Sequence, residues 1–210
     1  MKGIAAILLA AGQSRRMGGP FKPLLPFGQQ TVIQSCINYL TQGGAESLIV
    51  VLGHRAEEIR KRLIQESVGF AVNPDPGSEM TASIAAAVRQ LPETTRAILI
   101  APVDYPAVPA DVVSSLVDEW SKGFRLVKPT HHGRGGHPVL VDFALRDELL
   151  NLDPAIGLKG LFAKYETETK RLEVGSPFVA RDIDTWDDYL HLYREIFGES
   201  APEPDKNYSN

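Results

Sequence analysis

A chain of 210 residues, 43% of them hydrophobic and 23% charged, carries enough apolar material for one sizeable core and is too hydrophobic for extensive disorder. Its formal charge of -4 offers no basic face for a nucleic-acid backbone, so any anion site must be local. The single cysteine, Cys36, excludes an intrachain disulfide and suits a reducing cytoplasm.

Taken in chain order, Lys2 followed by the apolar run 4–11 imitates the start of a secretory signal. The run is short for that purpose, and glycines and two arginines follow it, which reads as a strand delivering a loop. No other run approaches the roughly 20 apolar residues of a membrane span. Strands are predicted over 4–10, 47–52, 69–73, 96–101, 125–129 and 138–141. Helices are predicted over 31–41, 56–65, 81–90 and 110–122, with Thr31 and Pro109 as start signals, and a last amphipathic helix over 186–197. Cys36 falls with Ile33, Ile37 and Leu40 on one side of the first helix and reads as a small core residue. Alternating strands and helices imply an α/β fold, a mostly parallel sheet with helices on both faces. After about residue 123 glycines become frequent and strands crowd together, yet no linker intervenes. One domain over 1–198 is expected, with halves of about 1–122 and 123–198 and a polar tail over 199–210.

The stretch LAAGQSRRMGGPFK, residues 9–22, lies where parallel sheets bind ligands, beyond the carboxyl end of the first strand. Its glycines let backbone N–H groups converge on an anion while Arg15, Arg16 and Lys22 add charge. It matches neither G-x-G-x-x-G nor a Walker loop, and an incidental basic turn is the bland alternative. PVDYP places Asp104 just past the strand over 96–101, facing the same crevice. In ARDIDTWDDYL, Asp182 and Asp184 share one face of an extended segment, although Asp184 could equally serve as a helix N-cap. Carboxylates and a basic loop are the parts that hold a triphosphate with Mg²⁺. His131, His132 and His137 lack the partners and spacing of a zinc site. Their glycine-rich loop suits an acceptor, with Arg134 or His137 available to an anionic group.

LAAGQSRRMGGPFKPLLPFGQQTVI resembles the N-terminal signature of the molybdenum-cofactor nucleotidyltransferase family, and the likeness runs over about residues 3–195. NPDPGSEMTASIAAAV, APVDYPAVP, GRGGHPVLV and DIDTWDDYL are similar to later motifs of that family. The resemblance implies a three-layer, Rossmann-like sandwich of the nucleotide-diphospho-sugar transferase type, with a nucleotide-binding first half and an acceptor second half. It implies transfer of a nucleoside monophosphate from a nucleoside triphosphate to a phosphate-bearing acceptor such as molybdopterin, releasing pyrophosphate, in the cytoplasm. A molybdoenzyme or maturation factor would be a partner. By matching positions, Leu9, Ala10, Ala11 and Gly12 would lie under the base and ribose. Arg15 and Lys22 would hold the triphosphate, and Asn73 and Ser83 would fall near the nucleotide. Asp104 would ligate Mg²⁺ with Asp182 or Asp184.

An acceptor that is a phosphate monoester is largely ionised near pH 7 and needs no strong general base. Two departures stand out: Val103 where many relatives carry glycine, and LDPAIGLKGLF where many carry a glycine-aspartate-x-glycine-alanine-arginine segment. Ala11 resembles the cytidylyltransferase branch and favours CTP over GTP. A sugar- or alcohol-phosphate nucleotidyltransferase, or a nucleotide-binding protein without turnover, are the other readings.

Overall fold

The computed structural model describes residues 3–73 and 80–202. In chain order, β1 (Ile4–Leu9) is followed by the hairpin β2 (Pro26–Phe27) and β3 (Gln30–Thr31), then α1 (Val32–Gln42), β4 (Ser47–Leu52), α2 (Ala56–Arg62), β5 (Gly69–Val72), α3 (Met80–Val88), β6 (Ala97–Pro102) and α4 (Ala110–Ser121). The second half adds β7 (Leu126–His131), β8 (Arg134–Gly135), β9 (Val139–Asp142), α5 (Arg146–Leu150), α6 (Leu158–Lys164), β10 (Thr169–Glu173) and α7 (Trp186–Phe197).

The main sheet runs β10-β7-β9-β6-β1-β4-β5, with β8 attached to β7. β1 pairs in parallel with β4 and β6, and β4 with β5. A helix crossing over one face of the sheet returns the chain to start the next strand in the same direction, which gives this βαβα part its parallel strands. β9 departs from it, lying antiparallel to both β6 and β7. β7 and β10 are again parallel to each other. The sheet is therefore mostly parallel, as expected, with two reversed strands, the short β8 and β9, of which β9 brings the second half against the first.

β1 is fully buried because both its faces are covered. Ile4, Ala6 and Leu8 join a core with α1, α4 and α7, whereas Ala5, Ile7 and Leu9 join a second core with α3, α5 and α6. The period-two alternation of one strand thus feeds both layers of a three-layer sandwich. α1 begins at Thr31 with a capping box to Gln34, and α4 begins after Pro109. Cys36 is wholly buried, as its helical face requires, and burial raises its thiol pKa far above the ordinary value. Predicted helices over 56–65 and 81–90 end earlier, at Arg62 and Val88. Residues 74–79, part of the segment after the third predicted strand, and 203–210, most of the expected polar tail, lie outside the described residues. Among the described residues no helix is long and apolar enough to cross a membrane.

Candidate active site

The loop after β1 is held by the sheet itself. The Ala10 N–H donates to the Val51 carbonyl at 3.0 Å, and the Val103 N–H donates to the Leu9 carbonyl at 3.1 Å. A Cβ on Gly53 would stand 2.6 Å from the Ala11 carbonyl oxygen, so this glycine lets the loop pass close to β4. Ser14 then takes a left-handed conformation at φ 52° and opens a single 3₁₀ turn, Arg15–Met17. Its hydroxyl accepts from the Lys22 N–H at 3.2 Å, closing the loop on itself. The Met17 side chain anchors the turn in the core, leaving Arg15 and Arg16 exposed. Arg15 donates to Gln13 at 2.8 Å.

A second 3₁₀ turn, Lys22–Leu24, buries the stem of Lys22 to 6% exposure. Its ammonium reaches Asp104 Oδ1 at 3.0 Å and Asp184 Oδ1 at 3.5 Å. The Arg16 guanidinium meets the other oxygen of Asp184 at 2.5 Å, so the loop is strapped to the C-terminal segment. The two acidic segments are joined through backbone, the Ile183 N–H donating to the Asp104 carbonyl at 2.9 Å. The turn that carries Asp104 is braced from below by α1: the Ser35 hydroxyl donates to the Pro106 carbonyl at 2.7 Å, and the Cys36 thiol points at the Val103 carbonyl. Burial pushes the Asp104 carboxyl above the usual carboxylate range; Lys22 pulls it back, and Asp184 and Asp182 push it up again. Tyr105 is raised to about 12, chiefly by burial and then by the nearby aspartates.

These groups line one cavity of about 480 Å³. Leu9, Ala10, Ala11, Gly12, Arg15, Lys22, Asn73, Ser83, Asp104 and Asp184 are all in its wall. Asn73 and Ser83 are both buried, with the Asn73 amide donating to the Ser83 hydroxyl at 2.9 Å. Asp182 is exposed and stands outside the cavity wall, though close enough to act on Asp104 and Tyr105. The N-cap alternative for Asp184 does not hold, because α7 is capped by Thr185 in a capping box with Asp188. Asp184 is left free to turn into the cavity. Arg16 as the partner of Asp184, and Ser35 and Cys36 as props of the Asp104 turn, were beyond sequence reasoning, since each contact joins segments distant in the chain. The three histidines do not converge on one point: His131 donates to the Val174 carbonyl, the His132 ring lies tilted against His131, and His137 lies against Tyr105.

Two carboxylates and a basic, glycine-bearing loop thus meet in one cavity beyond the carboxyl ends of the parallel strands of an α/β protein. The family model described as the MobA-like NTP transferase domain matches residues 6–169, and the chain belongs to that family. A nicotine blue oxidoreductase of Paenarthrobacter nicotinovorans is 30% identical over 150 residues, covering 68% of this chain and 72% of that one. A molybdenum cofactor guanylyltransferase of Shewanella sediminis is 28% identical over 149 residues, covering 70% and 72%. Among solved structures, a nucleotidyl transferase from Methanothermobacter thermautotroptrophicus superposes with a TM-score of 0.82 at 24% identity over 94% of this chain and 99% of that one, a likeness of fold. A Mycobacterium tuberculosis protein solved in complex with manganese superposes with a TM-score of 0.75 at 25% identity, covering 92% and 98%. The resemblance read from the N-terminal signature is thus borne out at the level of the family and the fold.

Proposed function

We propose that the chain is a Mg²⁺-dependent nucleotidyltransferase that moves a nucleoside monophosphate, cytidylyl before guanylyl, from a nucleoside triphosphate to a phosphate-bearing acceptor such as molybdopterin. The observation that carries this reading is the convergence of Lys22, Asp104 and Asp184 in the wall of the cavity that the loop after β1 also lines. A volume of about 480 Å³ suits a ligand of nucleotide size.

The donor set fits Mg²⁺, which takes one or two carboxylates together with substrate phosphates. Asp104 and Asp184 would hold it, Asp184 in preference to Asp182 because only the former lines the cavity. When bound, the ion supplies neutralisation of charge on the triphosphate. The structurally similar mycobacterial protein was solved in complex with manganese, which supports a divalent-cation site here.

The chain's own residues position and neutralise. The part of the loop that lines the cavity, residues 12–16, would offer backbone N–H groups to the triphosphate, with Arg15 and Lys22 adding charge. Leu9 to Gly12 form the floor for base and ribose, with Asn73 and Ser83 beside them. A phosphate oxygen of the acceptor forms a bond to the α-phosphorus as the bond to the bridging oxygen of the β-phosphate breaks, and pyrophosphate leaves with its electron pair. An ionised phosphate needs no base to take a proton, so alignment and charge neutralisation suffice. Ala11 lines the cavity, and its likeness to the cytidylyltransferase branch supports CTP; a difference of one methyl is worth only about 1 to 3 kcal/mol.

The test is pyrophosphate release from CTP and GTP with molybdopterin and Mg²⁺, for wild type and Lys22→Ala. Release from CTP exceeding that from GTP, and lost in the variant, is expected. Release from neither nucleotide, with nucleotide bound, would favour a binding protein without turnover.

A further inference from the structure

A second cavity, of about 600 Å³, lies beside the first and shares Met80 with it. One part of its wall comes from the segment over 154–163, including Ile156 and Phe162; another comes from β7 and β10 and carries Lys128 and Arg171. The segment includes the stretch that departs from the family's pattern. Met80 and Ile156 are among the few large apolar side chains that stay exposed in the described residues, at 50% and 55%. Both line this cavity, so two large apolar side chains stand in water at its wall.

The charges are as pointed as the apolar wall. The register of β7 with β10 sets Lys128 directly beside Arg171, a like-charge neighbour pair that costs stability in a sheet. Lys128 makes no ion pair among the described residues; its ammonium lies 5.2 Å from the centre of the Phe162 ring. Among the described residues Arg171 pairs with the exposed Glu166 alone, at 3.3 Å. Burial, and after it the Arg171 charge, lower the Lys128 pKa, while Glu166 at the same cavity wall offsets them in part. β9 stands between β7 and β6, which puts Lys128 roughly 10 Å across the sheet from β6, the strand that leads into the Asp104 turn, with Arg171 one strand further out.

We propose that this cavity binds the acceptor, and that the acceptor is a small amphiphile. Its apolar body packs on Ile156 and Phe162, and an anionic group, distinct from the attacking oxygen, is held by Lys128 and Arg171. The inference rests on the nucleotidyl-transfer reading and adds to it the acceptor's chemical class.

The probe is phenyl phosphate, which joins an aromatic body to an anion, titrated calorimetrically into the full chain with and without saturating CTP. Binding that survives CTP, exceeds that of inorganic phosphate, and weakens at least tenfold in the Lys128→Met/Arg171→Met double variant is expected. Ile156→Asp weakens it severalfold. The double variant without ligand melts at or above the wild-type temperature, because the like-charge contact is gone, which separates lost binding from lost folding. Displacement by CTP, absence of binding, equal affinity for inorganic phosphate, or wild-type affinity in the double variant would each overturn the proposal. CTP affinity is measured on the same samples. Its absence in wild type would defeat the underlying transfer reading, whereas its retention alongside lost selectivity for phenyl phosphate would defeat this proposal alone.

Discussion

The ammonium of Lys22 stands 3.0 Å from the Asp104 carboxylate and shares itself with Asp184. A lysine whose stem is buried and whose head meets two carboxylates is a fixed charge, already placed before any ligand arrives. Removing it leaves Asp104, raised by burial, without its main compensation. Lys22→Ala is therefore expected to lower kcat/KM by about 100-fold or more and stability by about 1 to 3 kcal/mol, read by steady-state kinetics and denaturant unfolding. Unchanged kcat/KM would remove Lys22 from the site.

Asp184 and Asp182 separate cleanly in the structure, one in the cavity wall and one outside it. The Mg²⁺ concentration for half-maximal turnover is expected to rise about tenfold or more in Asp184→Asn and to change little in Asp182→Asn. The reverse order would assign the second carboxylate to Asp182.

The capping box of Thr185 and Asp188 fixes where α7 starts and so where the preceding extended segment points. Thr185→Ala should cost about 1 kcal/mol in unfolding free energy and should raise the Mg²⁺ requirement in the same direction as Asp184→Asn. Loss of stability with no change in Mg²⁺ dependence would show that the cap does not position Asp184.

The first half of the fold was legible because each strand there is a short apolar run bounded by turn residues, and βαβ order fixes its direction. β10 was not: its sequence TKRLE is half exposed and becomes a strand only by pairing with β7. The reversed direction of β9 is a tertiary fact as well. Lys22 and Asp104 could be read because loop and turn chemistry puts each at a strand's carboxyl end. Asp184 could have been freed from its N-cap alternative by noticing that Thr185 precedes a carboxylate at the third helical position. The Lys128 and Arg171 pair depends on register, which no local pattern encodes.

His137 is held neutral by burial, its pKa lowered to about 4 from 6.5. Between those values the unfolded chain binds the proton and the folded chain does not, so stability is full above pH 6.5 and falls as the pH drops toward 4. This one group contributes about 1.4 kcal/mol per pH unit across that window. Thermal unfolding of His137→Phe between pH 4 and 7 should show a correspondingly shallower dependence than wild type. Equal slopes would mean that His137 titrates normally.

A methyl added at Gly53 would press on the Ala11 carbonyl at 2.6 Å and its Cβ at 2.9 Å. Gly53→Ala is expected to shift the floor of the loop and weaken CTP binding by about tenfold, measured by calorimetry, with the protein still folded. Wild-type affinity would show that the floor does not touch the nucleotide.

The most direct measurement is the melting temperature of wild type and Asp104→Ala against CTP, GTP, ATP and UTP, each with and without Mg²⁺. A ligand at one hundred times its Kd adds about 2.7 kcal/mol to the folded state, enough to rank the nucleotides. CTP with Mg²⁺ should raise the wild-type midpoint most, and Asp104→Ala should lose the dependence on Mg²⁺. A wild-type midpoint that no nucleotide moves, with or without Mg²⁺, would contradict nucleotidyl transfer at this cavity.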